Sequence, residues 1–309
     1  MLIVPSWSGL RLPLEALNFG RLSDHSRSTA RTPMSGAGDD GERRSRRRRA
    51  GQSERTAVGA IEQTSKSPPP GRREGHGWGA YFLPYVAFLL LISIGEKLPD
   101  GLRAYVLPLQ VAVPLGFLLF YYHRGHYPEL RGYPFGLKGF AIDFGVGIAG
   151  AALWMAPYLW IESMRPDEPG FDPALWGASL LPLALFVRTI GYGIVTPFME
   201  ELLIRSWLVR YVDVWNKRDD FRDVAIGLFR WRSFAVVVIW FTVSHIAWER
   251  PVAIAWVILT MLWFYYRKNL MSLVITHAGS NLGILAFVIL QSGRWSDADG
   301  NPISLWFFV

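Results

Sequence analysis

Two adjacent carboxylates and an arginine close a long apolar run, Pro197-Phe198-Met199-Glu200-Glu201-Leu202-Leu203-Ile204-Arg205. A charged side chain at the centre of a bilayer helix costs roughly 2.5–3.5 kcal/mol on insertion scales, so three such groups within six residues need a reason. Helical geometry supplies part of one. Glu201 and Arg205 share a face and can pair, while Glu200 points about 100° away and is left over. Two further apolar runs carry polar groups at the same spacing, Phe241 with His245 and His277 with Asn281. A single membrane histidine is ordinarily an interhelical hydrogen-bonding group. Two histidines, a spare glutamate and an asparagine on three separate segments point to a site. A carboxylate and an imidazole can together deprotonate water for attack on an amide. An imidazole N–H and an Asn N–H can then hold the oxyanion, at roughly 2.7–4 kcal/mol per donor. The same three side chains, Glu200, His245 and His277, leave a zinc site chemically open. No HExxH zinc motif is present, and the absence of cysteine removes disulfides, thiolate metal sites and a thiol nucleophile.

The elements that must carry these residues are membrane helices. The chain has 309 residues, of which 51% are hydrophobic and 15% aromatic, too apolar for an ordinary soluble domain. Apolar runs predict an all-α, polytopic transmembrane bundle with about seven spans, near 78–95, 104–122, 140–160, 179–200, 233–249, 252–266 and 271–291. Pro197 falls just ahead of Glu200, where its missing N–H is expected to kink the helix. Basic residues gather in 123–139, 202–232 and 267–270, whereas 161–178 is acidic. This asymmetry predicts the N-terminus in the cytoplasm and the C-terminus outside.

Residues 1–76 differ in kind. Fourteen of the 32 Lys and Arg fall there, six of them in Arg43-Arg44-Ser45-Arg46-Arg47-Arg48-Arg49. With few apolar side chains to offset ordering entropy, this tail is expected to be disordered. Its charge suits a cytoplasmic tail or contact with anionic lipid better than nucleic acid binding. The chain therefore divides into the tail (1–76), N-terminal spans (77–177), a core with the polar residues (178–291) and a C-terminal tail (292–309).

Glu200-Glu201-x-x-x-Arg205, Phe241-x-x-x-His245 and His277-x-x-x-Asn281 resemble, in order and spacing, the three motifs of the CAAX protease and bacteriocin-processing (CPBP, Abi) membrane family. The stretches Arg188-Thr189-Ile190-Gly191 and Phe229-Arg230-Trp231-Arg232-Ser233-Phe234 are similar to its branch in exosortase-bearing bacteria. The resemblance implies an endopeptidase of the CAAX prenyl protease type in a bacterial inner membrane, with a membrane protein or peptide as substrate. It implies Glu200 and His245 as the water-activating pair, and His277 and Asn281 as the oxyanion hole. Glu201, Arg205 and Phe241 would orient them, and no cofactor is favoured although zinc remains an alternative. A catalytically silent scaffold or immunity protein of the same fold is the other reading. Deleting residues 1–76 is expected to leave cleavage intact in a protein that still inserts, measured by an activity assay on isolated membranes.

Overall fold

The computed structural model describes residues 77–167, 170–217, 219–297 and 300–309. The basic tail, and with it the expectation of disorder and the arginine run, lies outside the described residues. Among these the chain is helical, with one isolated bridge between Ser296 and Pro302. Seven long helices follow in order: α1 (Gly79–Gly95), α2 (Val106–His123), α3 (Gly136–Trp160), α4 (Gly177–Val214), α5 (Trp231–Val243), α6 (Arg250–Arg267) and α7 (Leu270–Gln291). Each falls on one of the seven apolar runs. Helices α1, α2, α3, α4 and α7 are long and apolar enough to cross a membrane.

The other two expected spans fall short. Helix α5 has 13 residues, about 20 Å of rise against a hydrocarbon core of about 30 Å. Helix α6 has 18 residues but is less apolar, and it packs beside α5 and against α3. Helix α4 departs in the other direction, running 14 residues beyond the expected end at 200. Arg205 and Arg210, assigned by sequence to a basic loop, are buried inside it because each has an acidic partner. Arg210 meets Glu129 at 3.2 Å, and Ser206 and Tyr81 hydrogen-bond to the same carboxylate oxygen. This cluster fastens the Pro128–Leu130 turn to α1 and α4.

Helix α1 shows how the bundle faces inward. Tyr81, Tyr85, Phe88 and Ile92 form a buried stripe at helical spacing, while Leu83, Leu90 and Ile94 on the outside are equally apolar. A helix apolar all round suits a lipid surround. Helices α3 and α7 make the closest approach. A Cβ added at Gly147 would lie 2.1 Å from the Thr276 carbonyl oxygen, and one at Gly279 would lie 2.7 Å from that of Phe144. Small residues bring the two backbones into contact, as membrane helix interfaces favour. On the α3 side, Asp143 is fully buried and takes hydrogen bonds from Tyr133, Trp263 and Arg267 at 2.6, 3.0 and 2.8 Å.

Gly147→Ala is expected to cost roughly 1–3 kcal/mol through forced separation of α3 and α7. Gly145→Ala, on the same helix with open space around it, should be close to neutral. Thermal unfolding of both variants in one detergent checks the difference.

Candidate active site

Glu200 and Glu201 sit where α4 is least regular. Gly191–Val195 and Leu202–Leu208 are π-helical, and the six residues Thr196–Glu201 between them are α-helical. Pro197 lies at the start of the α-helical piece between two widened turns, and such turns are a common feature of functional sites. Both carboxylates are buried, as is Arg205.

Glu201 and Arg205 pair as the spacing predicts, with 3.1 Å between Nη1 and Oε1 and neither side chain exposed. The second arm of the guanidinium, Nη2, donates to Thr260 Oγ1 at 2.9 Å, and its carbon lies 5.4 Å from the Phe241 ring centre and 5.6 Å from that of Trp256. The Glu201 oxygen that takes Arg205 also accepts from His277 Nδ1 at 2.9 Å. His277 Nε2 then lies 3.9 Å from Glu200 Oε2. Glu200 Oε1 is buried with no hydrogen-bond partner.

His245 departs from its expected place on a helix face. Helix α5 ends at Val243, the Ser244 N–H bonds back to Trp240 O, and His245 lies in the following turn. Its side chain still reaches back, with Nδ1 2.6 Å from the Phe241 carbonyl oxygen. Only a protonated nitrogen can make that bond, so Nδ1 carries the hydrogen and Nε2 of the neutral ring is the acceptor. Phe241 supports the ring at 4.4 Å between centres, and Trp154 does so at 5.5 Å. Asn281, one turn beyond His277 on α7, donates from Nδ2 to the Tyr192 carbonyl at 2.8 Å. The π-helical stretch of α4 therefore frees a carbonyl for the residue opposite it.

Glu200, His245, His277 and Asn281 all line one cavity of about 20 Å³, with Tyr192, Thr196 and Trp256 among its other walls. About 10–15 Å³ of such space holds one water, so the cavity has room for a single water. Sequence reasoning missed Thr260, Trp256 and Tyr192. Trp256 and Thr260 lie four apart on α6, a spacing that marks a shared face, but nothing local links that face to Arg205. Tyr192 acts through its main chain, which side-chain patterns do not report.

A zinc ion would require three donors converging on one point. Among the described residues no three His, Asp or Glu side chains gather in that way. Both Nδ1 atoms of the site histidines already have partners, Phe241 O and Glu201.

Fold and site together define an integral membrane protein with a buried carboxylate–imidazole centre. Residues 182–283 match the family described as type II CAAX prenyl endopeptidase Rce1-like. The matched stretch contains every residue of the three motifs. No curated protein and no solved structure matches the chain.

The two glutamates are expected to differ sharply in stability tests. Breaking a buried ion pair from one side costs about 3–5 kcal/mol, so Glu201→Ala should unfold far more readily than wild type. Glu200→Gln removes a carboxylate with an unpartnered oxygen and should leave the melting temperature within a few degrees of wild type, as read by thermal unfolding in detergent.

Proposed function

We propose that the chain is an intramembrane endopeptidase that hydrolyses a peptide bond of a membrane-associated protein or peptide. The observation that carries this reading is the water-sized cavity, walled by a carboxylate with an unpartnered oxygen and by an imidazole fixed in one tautomer. In this reading the water oxygen attacks the carbonyl carbon of the scissile bond while its proton passes to Glu200. His245 Nε2 accepts the second water hydrogen and orients the nucleophile. Asn281 keeps one amide N–H on Tyr192 and offers the other to the developing oxyanion. His277 offers Nε2–H to the same oxygen, a role that requires the ring to carry both protons because Nδ1 is bound to Glu201. The proton held by Glu200 then moves to the leaving nitrogen as the C–N bond breaks. Glu201, Arg205 and Phe241 act through the others by position alone.

The family match supports the CAAX-protease type of reaction, the basic loops around 123–139 and 217–232 support a cytoplasmic N-terminus, and the placement in a bacterial inner membrane rests on the motif resemblance alone. Assignment to the branch of exosortase-bearing bacteria rests on the stretches 188–191 and 229–234. A metal-free mechanism is part of the proposal. Reversible loss of activity on chelation, with one metal per chain, would replace it.

The test is mass spectrometry of membrane peptides from cells with wild type, Glu200→Ala, His245→Ala or no protein. New C-termini are expected with wild type alone, and loss of the acid–base group should slow their formation by about 10²–10⁴-fold. Identical peptide sets at equal expression would favour a silent scaffold instead.

A further inference from the structure

The water-sized cavity does not stand alone. A larger one of about 520 Å³ is lined by Leu107, Gln110, Arg188 and Glu249 among others. A constriction of about 10 Å³ shares Leu107, Gln110 and Arg188 with the large cavity and Tyr192 and Thr196 with the small one. The third space thus lies between residues of the other two, beside the first π-helical turn of α4. The large cavity falls within the roughly 300–1,000 Å³ typical of ligand pockets.

One segment of the chain lines the large cavity. Leu305, Phe307, Phe308 and Val309 are buried, and the last three line the large cavity. The segment is held much as a peptide ligand is held. The Phe171 N–H lies 3.2 Å from both the Trp306 and the Val309 carbonyl oxygens, and Tyr192 Oη is 3.4 Å from that of Phe308. Phe307 and Phe308 pack their rings on Tyr158, and Phe307 also meets Trp248 in the turn that carries His245. Tyr192 thus touches both the segment and, through its carbonyl, Asn281. Gly170 permits the docking. With φ at +71°, a Cβ there would sit 2.2 Å from Trp306 O and 2.4 Å from the Phe307 Cα.

We propose that the groove holding Leu305–Val309 is a subsite for an extended peptide with apolar and aromatic side chains, and that this segment is its internal, displaceable occupant. The identification of that peptide as substrate rests on the endopeptidase reading. Main-chain carbonyl groups are recognised by Phe171 N–H and Tyr192 Oη, and the side chains are read by the aromatic walls. An occupied groove lowers apparent affinity for an incoming peptide in proportion to the fraction of molecules in which it is open.

The experiment uses the full-length chain in detergent and a fluorescent Ser-Leu-Trp-Phe-Phe-Val peptide. Phe307→Ala and Phe308→Ala each remove a different ring of the segment from Tyr158, leave the groove walls intact and do not touch the acid–base residues. Both variants should expose residues 306–308 to chymotrypsin and bind the peptide about ten-fold tighter than wild type, as expected when a groove closed nine times in ten is opened. They should also cleave membrane peptides faster, with the gain abolished by Glu200→Ala. A released segment with unchanged peptide affinity overturns the proposal, and so does a segment that stays protected in both variants. Tighter peptide binding with no Glu200-dependent cleavage in any variant upholds the groove and defeats the endopeptidase reading. Glu200-dependent cleavage without a gain in binding does the reverse.

Discussion

One carboxylate oxygen, Glu201 Oε1, ties the site together. It takes Arg205 from one turn further along α4 and His277 from α7, and Arg205 in turn reaches Thr260 on α6. Three helices are thus referenced to a single atom with no exposure to solvent or lipid. Buried ion pairs are often no more stable than a well-packed apolar substitute, so their presence is weak evidence for a stabilising role. What this one does is directional. It fixes which nitrogen of His277 faces Glu201, and therefore which faces Glu200. Glu200 can keep an unpartnered oxygen because its neighbour satisfies the surrounding cations.

The residues that move chemistry are spread over different supports. Helix α7 is pressed backbone to backbone on α3 through Gly147 and Gly279, so His277 and Asn281 stand on a close helix–helix contact. His245 stands on a helix end, held by its own bond to Phe241 O. Glu200 stands on six α-helical residues between two wider turns. The support becomes less regular from α7 to α4, and a further small space lies at the least regular place, lined by Gly191 and Tyr192.

Much of this was legible in the sequence because membrane helices advertise themselves by composition and their polar residues by cost. Seven apolar runs became seven helices, and the Glu201–Arg205 pair followed from a spacing of four. The errors share a cause. The end of α4 was set at the first charges, but charges that find partners inside the protein do not end a helix, as Arg205 and Arg210 show. His245 was placed on a helix by extrapolating the period of α5 past Val243, where a short turn takes over. Tyr192 and Thr260 stayed hidden because one acts through its carbonyl and the other through a contact 55 residues distant in sequence. The segment 292–309 read as a tail, yet its last residues are buried against Tyr158 and Trp248.

The two π-helical stretches of α4 also bear on register. A hydrogen bond to the fifth residue rather than the fourth gives each widened turn one residue more than an α-helix needs for the same climb. Helix α4 therefore stores spare sequence on both sides of Glu200, and a helical wheel drawn at a constant 100° drifts out of phase across it. The phase is restored only between Thr196 and Glu201. Loss of one residue from Gly191–Val195 or Leu202–Leu208 could be absorbed by tightening a turn, whereas loss of one residue from between them would rotate both carboxylates off their partners. The tolerance of this chain to changes in length is thus written unevenly along a single helix, with its least forgiving six residues at the chemistry.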